Sequence, residues 1–342
     1  MFAFTSAAII SPDSKLRDRP VAGPFPYWPL LIDLVPDFFA VVDAAEPAVA
    51  YDAYYRANER LLRAYWQNYV FEPEGADFRD VVRSTVTADR TALRTMLAHT
   101  DVIDIARLAE TRCREALAMD VDVDIVLMVG VGAANAGELV IDGRGVAFVC
   151  LEHFTGVADS RTHSLGLDPE LLSLWLAHEI AHAVRYTAPS SRSEMRSLIE
   201  EAGGNYSYWA TGREATLREL LANEGLAVQT SRIVSPGHAQ WEYFGYSRRD
   251  FARIREFERA ITRAASADLE RAGLGFRLRY LSGGMSESAR TVDRTVLPER
   301  SGYFLGARMV EQAIEQHGLA WAVRASASEL AAVGLGSAAQ SA

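Results

Sequence analysis

The stretch from His178 to His182 constrains this chain more than any other part of its sequence. It places two histidines four residues apart, with Glu179 directly after the first. Residues four apart project from one face of an α-helix, so both imidazoles can share one tetrahedral cation. Glu179 would then lie beside the open coordination position, where a carboxylate can take a proton from water. The stretch therefore predicts a helix that carries two metal ligands and a general base.

The residues around this stretch predict where its helix begins and ends. Asp168 is a favourable N-cap, and Pro169 fits the first helical position, where its missing N–H costs nothing. We predict a helix from about Pro169 to Tyr186. Leu171 and Trp175 lie on the same face as both histidines, so that face begins apolar. The alternative is a pair of core histidines bonded to neighbouring carbonyls, but it does not explain the acidic residue between them.

A third ligand is predicted on a second helix. Glu224 falls in the series Leu217, Leu221, Glu224 and Val228, whose helical spacing means that it interrupts an apolar face. A carboxylate buried in such a face is costly unless it is paired or binds a metal. Gly225 costs about 1 kcal/mol of helix propensity relative to Ala, which indicates that another helix passes close by. Pairing of Glu224 with an arginine is the alternative. Weaker ligand candidates are Glu200, Glu201, Glu219 and His238.

Together these segments resemble a known family. The HExxH stretch followed by Asn223-Glu224-Gly225-Leu226-Ala227 is similar to the gluzincin pattern, in which a downstream Glu on a second helix completes the metal site. More narrowly, it resembles the bacterial family of predicted zinc-dependent proteases, which pair HExxH with an EGLA segment. That family tends to end in a Gly-Tyr-x-x-Gly helix, matched here by Gly302-Tyr303-Phe304-Leu305-Gly306. The resemblance covers roughly residues 121–330. It implies Zn²⁺ held by His178, His182 and Glu224, with Glu179 as general base.

The sequence departs from better-studied gluzincins at two points. Val228 stands where thermolysin-like enzymes have an Asp that supports a histidine ligand, so that support must come from elsewhere. The Gly-x-Met-Glu-Asn signature of one aminopeptidase branch is missing. Peptide hydrolysis also requires a group that stabilises the oxyanion, because a metal alone does so incompletely. Candidates are Tyr303, His238, Tyr246 and Arg300, of which Tyr303 is favoured because it lies in the resembling segment.

The rest of the chain predicts an α+β fold that is predominantly helical, with a small β-sheet before the active-site helix, and this arrangement resembles the zincin-like fold. Three β-rich segments, residues 123–129, 138–141 and 146–151, precede that helix. One exposed edge of the sheet is expected to pair with an extended peptide. We predict four segments: an extended proline-rich arm (1–36), an upper lobe of helices, sheet and active-site helix (37–187), a helical lower lobe with the third ligand (188–335) and a flexible tail (336–342). The metal is expected to lie between the two lobes.

Composition narrows the classes of partner. The net charge of -10 argues against nucleic acid and against an anionic membrane surface. No run of about 18 apolar residues occurs, so no membrane span is predicted. The two cysteines, Cys113 and Cys150, fit a reduced, cytoplasmic protein. The sequence does not decide whether they form a disulfide with each other.

We therefore predict a zinc-dependent metallohydrolase, most concretely a peptidase that acts on a peptide or protein substrate. The alternative is a non-catalytic module that binds a peptide or a protein and whose zinc site is structural or vestigial. A closed fourth coordination position would favour the module, and an exchangeable water there would favour the enzyme.

Overall fold

Four strands form the main sheet of the protein, whose computed structural model describes residues 31–70, 73 and 77–338. They are β1 (Leu31–Asp33), β2 (Val123–Met128), β3 (Ala136–Ile141) and β4 (Arg144–Cys150), in the spatial order β1-β2-β4-β3. β1 and β4 run parallel to β2, whereas β3 is an antiparallel edge strand paired with β4. Asp142 and Gly143 join β3 to β4 at positive φ, as a two-residue hairpin requires.

Helices make up most of the remaining structure. Before the sheet they are α1 (Val35–Val42), α2 (Pro47–Ala57), α3 (Glu59–Tyr69), α4 (Phe78–Thr87), α5 (Thr91–His99) and α6 (Val102–Ala116). After it come α7 (Leu172–Thr187), α8 (Glu194–Glu201), α9 (Thr211–Glu214), α10 (Leu217–Val234), α11 (Arg248–Glu256), α12 (Glu258–Asp268), α13 (Leu274–Leu281), α14 (Glu287–Arg290), α15 (Ser301–His317), α16 (Leu319–Ala322) and α17 (Ala327–Ala338). Two short hairpins lie in the connections, namely β5 (Ala158–Asp159) with β6 (Ser164–Leu165) and β7 (Thr291–Val292) with β8 (Thr295–Val296). The α+β class, with helices predominating and a small sheet before α7, is confirmed.

The boundaries of the predicted arm and tail differ from the structure. Residues 31–33 are strand β1, and Pro36 lies in the first turn of α1, so residues 31–36 do not form an extended arm. A proline is favourable there because its missing N–H would have no partner within the helix. At the other end α17 continues to Ala338, so residues 336–338 are helical. Residues 1–30 and 339–342, which make up the rest of these segments, lie outside the described residues.

Helix α7 lies at the centre of the fold. It packs against β3 and β4 on one side and against α6 and α10 on the others. Every residue from Leu174 to Tyr186 is buried, so its polar side chains must find partners inside the protein. One cluster of buried apolar side chains extends from Leu34 to Val323, and the two predicted lobes therefore share one core.

Helices α10 and α15 touch at a pair of glycines. A β-carbon added to Gly225 would lie 2.2 Å from the carbonyl carbon and oxygen of Gly306, and one added to Gly306 would lie 2.1 Å from the carbonyl oxygen of Leu221. The backbones approach this closely only because neither residue has a side chain. The inference that another helix passes close to Gly225 is confirmed. The EGLA and Gly-Tyr-x-x-Gly segments therefore pack directly on each other.

We expect Gly225→Ala to lower the free energy of unfolding by about 1–3 kcal/mol, because the two backbones must move apart. That loss should appear although alanine gains about 1 kcal/mol of helix propensity. Gly275→Ala in α13 is the matched control, since its β-carbon would meet nothing within 4 Å. We expect that control to be neutral or to gain about 0.4–1 kcal/mol. Urea unfolding measures both, and equal stability of the two variants would contradict the tight contact.

The structure also bears on the cysteines and on membrane association. Cys113 and Cys150 are both buried and neither forms a disulfide. Within the described part of the chain, no helix combines the length and the apolar character that crossing a membrane requires.

Candidate metal centre

The three predicted ligands meet at one point between α7 and α10. Nε2 of His178 lies 3.3 Å from Oε2 of Glu224, and Nε2 of His182 lies 3.6 Å from the same oxygen. Ligand atoms about 2.0–2.2 Å from a tetrahedral Zn²⁺ lie about 3.3–3.6 Å apart, so the cluster has the dimensions of such a site. In the described ranges, no other group of three or more His, Cys, Asp or Glu side chains is close enough to hold a metal ion.

Local sequence explains how α7 presents its histidines. The side chain of Asp168 accepts a hydrogen bond from the N–H of Glu170 at 2.9 Å, which confirms the predicted N-cap. Residues 169–171 form a 3₁₀ turn that leads into α7, so the α-helix begins three residues later than predicted. The histidine rings lie one turn apart on this helix, with centroids separated by 4.9 Å.

The other ring nitrogens do not fit the alternative of ordinary core histidines. Nδ1 of His178 and Nδ1 of His182 are buried and have no hydrogen-bond partner among the described residues. Neither ring is therefore bonded to a neighbouring carbonyl, and both Nε2 atoms face a carboxylate instead. Metal-binding histidines usually donate Nδ1–H to an acceptor that orients them, and loss of that acceptor typically costs about 10–100-fold in metal affinity. Val228 cannot accept a hydrogen bond from a histidine ligand, as the Asp of thermolysin-like enzymes does. No other described residue accepts one from either Nδ1 atom.

Electrostatics favour an anionic Glu224 between the two histidines. Burial alone would raise the pKa of Glu224, but the hydrogen bonds and charges of His178 and His182 hold it well below its usual range. Burial lowers the pKa of His178, whereas interaction with Glu224 outweighs burial and raises the pKa of His182. The centre therefore offers one negative oxygen and two imidazoles, a donor set suited to a divalent cation of the zinc type.

Glu179 is buried next to the ligands and is not engaged elsewhere. It has no hydrogen bond or ion pair in the part of the chain that the structure describes. Burial raises its pKa well above the usual range, and the charges of Glu138 and Glu224 add to that effect. A divalent cation beside a carboxylate acts in the opposite direction and favours its charged form. Glu179 is thus a buried carboxylate in the field of Glu224 and Glu138.

Sequence reasoning missed Glu138, the second acidic residue near the centre. It lies on β3 and is buried, and its Oε2 lies 2.9 Å from the hydroxyl oxygen of Tyr69. The available signal was a single charged residue inside an apolar strand, which is costly without a partner. Its negative charge adds to the field at Glu179 and at both histidines.

Of the four candidates for oxyanion stabilisation, Tyr303 contacts a ligand. Its ring stacks on His178 with a centroid distance of 6.2 Å and an angle of 25° between the planes. Burial and then the charge of Glu224 raise the pKa of Tyr303, so the phenol keeps its proton and can donate it in a hydrogen bond. The guanidinium carbon of Arg300 lies 4.5 Å from the centre of the Tyr303 ring. Arg300 is thus a cation–π partner of Tyr303 and also hydrogen-bonds to its side chain.

The other candidates have different partners. The hydroxyl of Tyr246 donates to the carbonyl of Arg300 at 2.6 Å, and Nε2 of His238 lies 3.1 Å from Oγ of Ser235. Glu200 pairs with Arg196 at 2.6 Å on an exposed face of α8, and Glu201 is exposed on the same helix. None of the weaker ligand candidates belongs to the metal-binding group.

Arg185 pairs with Glu219, one of those weaker ligand candidates. Both side chains are buried, and Nη2 of Arg185 lies 3.0 Å from each carboxylate oxygen of Glu219. Nε of Arg185 also donates to the side chain of Asn223, which directly precedes Glu224. Arg185 therefore neutralises Glu219 of α10, whereas Glu224 on the same helix interacts with His178 and His182.

The same arginine reaches the C-terminal helices. Its Nη1 donates to the carbonyl oxygens of Val323 and Ala325 at 3.0 and 2.7 Å. All of its N–H-bearing nitrogens thus bond to protein acceptors, as a buried charge requires. Arg185 fixes α10 relative to α7 and so fixes Glu224 relative to the histidines.

The sheet edge beside the centre is not open to a peptide, contrary to prediction. The Tyr69 hydroxyl accepts a hydrogen bond from the N–H of Glu138 at 3.0 Å and lies 2.9 Å from its carbonyl oxygen. The N–H of Tyr206 donates to the carbonyl of Val140 at 2.9 Å. Unpaired edges are commonly covered in native proteins, and here the cover comes from residues far away in sequence. Strand periodicity contains no information about such distant partners.

Comparison with known proteins identifies no relative. No family model and no curated protein matches the sequence, and no solved structure matches the fold. The similarity to gluzincins therefore rests on the motifs alone, and the geometry of the centre is the observation on which a function can be proposed.

Proposed function

We propose that this protein is a zinc-dependent metallohydrolase of zincin-like fold that cleaves peptide bonds. The convergence of His178, His182 and Glu224 on one point, with Glu179 beside them, carries the proposal. The pairing of Arg185 with Glu219, and the absence of a carbonyl partner for either Nδ1 atom among the described residues, support it over the two alternatives considered from the sequence. We place the reaction in the reducing cytoplasm, which two thiols without a disulfide support.

Each residue has a defined task in the proposed reaction. His178, His182 and Glu224 would hold a divalent cation, which would supply Lewis acidity toward a water and the substrate carbonyl. Glu179 takes a proton from the attacking water and passes it to the amine that leaves. Tyr303 keeps its proton and donates a hydrogen bond to the developing oxyanion. Glu224 would contribute the negative charge that favours a cation beside the two imidazoles.

A peptide as substrate is supported by the position of β3. This edge strand packs against α7, the helix that carries the histidines and Glu179. An extended peptide that pairs with an edge strand gains main-chain hydrogen bonds regardless of its sequence. Such pairing would bring the backbone of a peptide, and hence its amide bonds, alongside the centre. It requires that the present cover of β3 be displaced.

Glu224→Ala is expected to abolish most metal binding. The loss should exceed the roughly 10–100-fold that follows when only a residue supporting a ligand is removed. Metal content is measured by mass spectrometry on protein purified without chelator or added metal, with about one zinc per chain expected for the wild type. Glu201→Ala, an exposed glutamate on α8, is the matched control and should keep its metal. A wild type that takes up no metal even after zinc is added would leave the histidines as core residues.

A further inference from the structure

The candidate centre is almost closed to solvent. The residues His178 and His182 are each 3% exposed, and Glu179 is 4% exposed. Attack on a peptide bond requires the reacting atoms to approach to about 3–3.5 Å. Glu224, whose side chain is 14% exposed, is the most accessible of the ligands. The histidines and Glu179 thus present little surface to a polypeptide, so movement of a neighbouring segment would widen access to them.

Residues 204–210 lie between β3 and Tyr186, the aromatic neighbour of His182, and we call them the covering segment. They connect α8 to α9. The ring of Tyr206 packs on Tyr186 at a centroid distance of 5.5 Å, and Tyr186 packs on His182 at 5.7 Å. Tyr208 packs on Tyr69 at 6.3 Å. The segment thus lies over the aromatic residues that border the ligands.

The covering segment also takes the place of a neighbouring strand. Its Tyr206 N–H donates to the carbonyl of Val140 in β3 at 2.9 Å, and its Gly204 carbonyl accepts from the N–H of Gly143 at 2.7 Å. The bond to Val140 is a main-chain contact of the kind that an extended peptide would make with the β3 edge, and the bond to Gly143 lies in the turn that follows this strand. A peptide substrate and the covering segment therefore compete for one surface.

Polar contacts from two sides hold the segment in place. On one side the buried Arg277 of α13 donates to the Tyr208 carbonyl and to the Tyr206 hydroxyl, both at 3.0 Å. Its guanidinium carbon lies 3.4 Å from the centre of the Tyr208 ring. On the other side Asn68 of α3 accepts from the Tyr208 N–H at 2.5 Å and lies within 3.4 Å of the Tyr206 carbonyl.

Further hydrogen bonds hold the two ends of the segment: the Asn205 side chain accepts from the N–H of Asp142, and the N–H of Ser207 donates to the Thr211 hydroxyl, both at 3.1 Å. Tyr206 is its one fully buried side chain, whereas Trp209 is 42% exposed and Ala210 is exposed. Regions with few buried apolar contacts open locally at lower free energy than the core. Gly203 precedes the segment and Gly204 begins it, at φ values of 77° and 81°, a backbone region that favours glycine. Gly212 follows it, and a β-carbon there would lie 2.0 Å from Nη1 of Arg277. The two glycines at the start of the segment are thus suited to a hinge, whereas Gly212 packs closely on Arg277.

We propose that the covering segment is an inhibitory flap that occupies the substrate's position on β3 and opens when its contacts with Arg277 and Asn68 break. The identity of the competing peptide rests on the proposed function. Opening itself is a property of the chain that can be measured without hydrolysis.

Hydrogen–deuterium exchange with mass spectrometry tests the flap directly. In Arg277→Gln the peptides that contain residues 204–210 should exchange roughly tenfold faster or more than in the wild type, because two hydrogen bonds are weakened. Arg279→Gln is the matched control on the same helix, since Arg279 contacts Asp268 and the carbonyl of Ala289 instead. Modification of metal-free protein by diethyl pyrocarbonate should also reach His178 and His182 faster in Arg277→Gln alone.

The results separate the flap from the proposed function. Unchanged exchange of residues 204–210 together with unchanged histidine modification in Arg277→Gln would overturn the flap. If peptides of α7 also exchange faster, that variant has loosened the whole fold, and Asn68→Ala decides because it acts from α3. Unchanged exchange of the segment in Asn68→Ala then overturns the proposal. Faster opening in zinc-loaded protein that cleaves no peptide would support the flap and count against a peptidase.

Discussion

Glu179→Gln is expected to keep about one zinc per chain and to lower kcat for peptide hydrolysis by about 10²–10⁴-fold. Glutamine has the size of glutamate but cannot accept a proton from the attacking water. The three ligands are untouched by this change, so metal content separates a lost base from a lost metal. Both quantities are measured on the same preparation, by mass spectrometry for the metal and by cleavage of a peptide library for activity.

Glu170→Gln is the control for this experiment, because Glu170 lies in the first turn before α7, away from the ligands. It should cleave as the wild type does. Near-full activity of Glu179→Gln with its metal in place would remove Glu179 from the mechanism. Failure of zinc-loaded wild type and of Arg277→Gln to cleave any peptide would favour the binding module instead.

Arg185→Met is expected to lower the free energy of unfolding by about 3–5 kcal/mol, because it leaves the carboxylate of Glu219 buried without its counter-charge. The carbonyl oxygens of Val323 and Ala325 lose their donors as well. Urea unfolding measures the effect through a lower midpoint. Zinc content should fall in parallel, since Arg185 holds the helix that carries Glu224.

Two further variants identify the cause of that loss. Arg192→Met removes an ion pair with Glu329 whose side chains are 48% and 43% exposed, so about 0–1 kcal/mol is expected there. The double variant Arg185→Met, Glu219→Leu should be more stable than Arg185→Met, because no unpaired charge remains buried. A loss below about 1 kcal/mol in Arg185→Met would contradict the structural role assigned to this ion pair.

The sequence predicted the parts of the site that depend on helical spacing. His178 and His182 face one way because they lie four residues apart, and Asp168 caps the turn before α7 as its side chain favours. Gly225 indicated that another helix packs closely on α10, because a glycine inside a helix lowers helix stability unless close packing requires it. In each case the relevant information lies within a few residues of the position concerned.

What the sequence did not predict depends on contacts between distant segments. Tyr69 and Tyr206 cover β3 from elements that precede and follow it, so strand alternation alone suggested an open edge. Glu138 gave only the weak signal of one charge in an apolar strand. Glu219 lies five residues before Glu224 on the same helix, and only the position of Arg185 in space shows which of them is neutralised. Such pairings are set by the packing of whole helices against one another.

The contact between Gly225 and Gly306 has a consequence for how the site can evolve. Gly225 follows Glu224 directly, and Gly306 lies three residues after Tyr303. The contact between the two glycines therefore sets the distance between the Glu224 carboxylate and the Tyr303 phenol. Any larger residue at either glycine would change the separation of both groups together. Substitutions at the two positions should therefore be strongly non-additive, since the second adds little once the first has moved the helices apart. The residues at these two positions are expected to covary among related sequences, even though about 80 residues separate them in the chain.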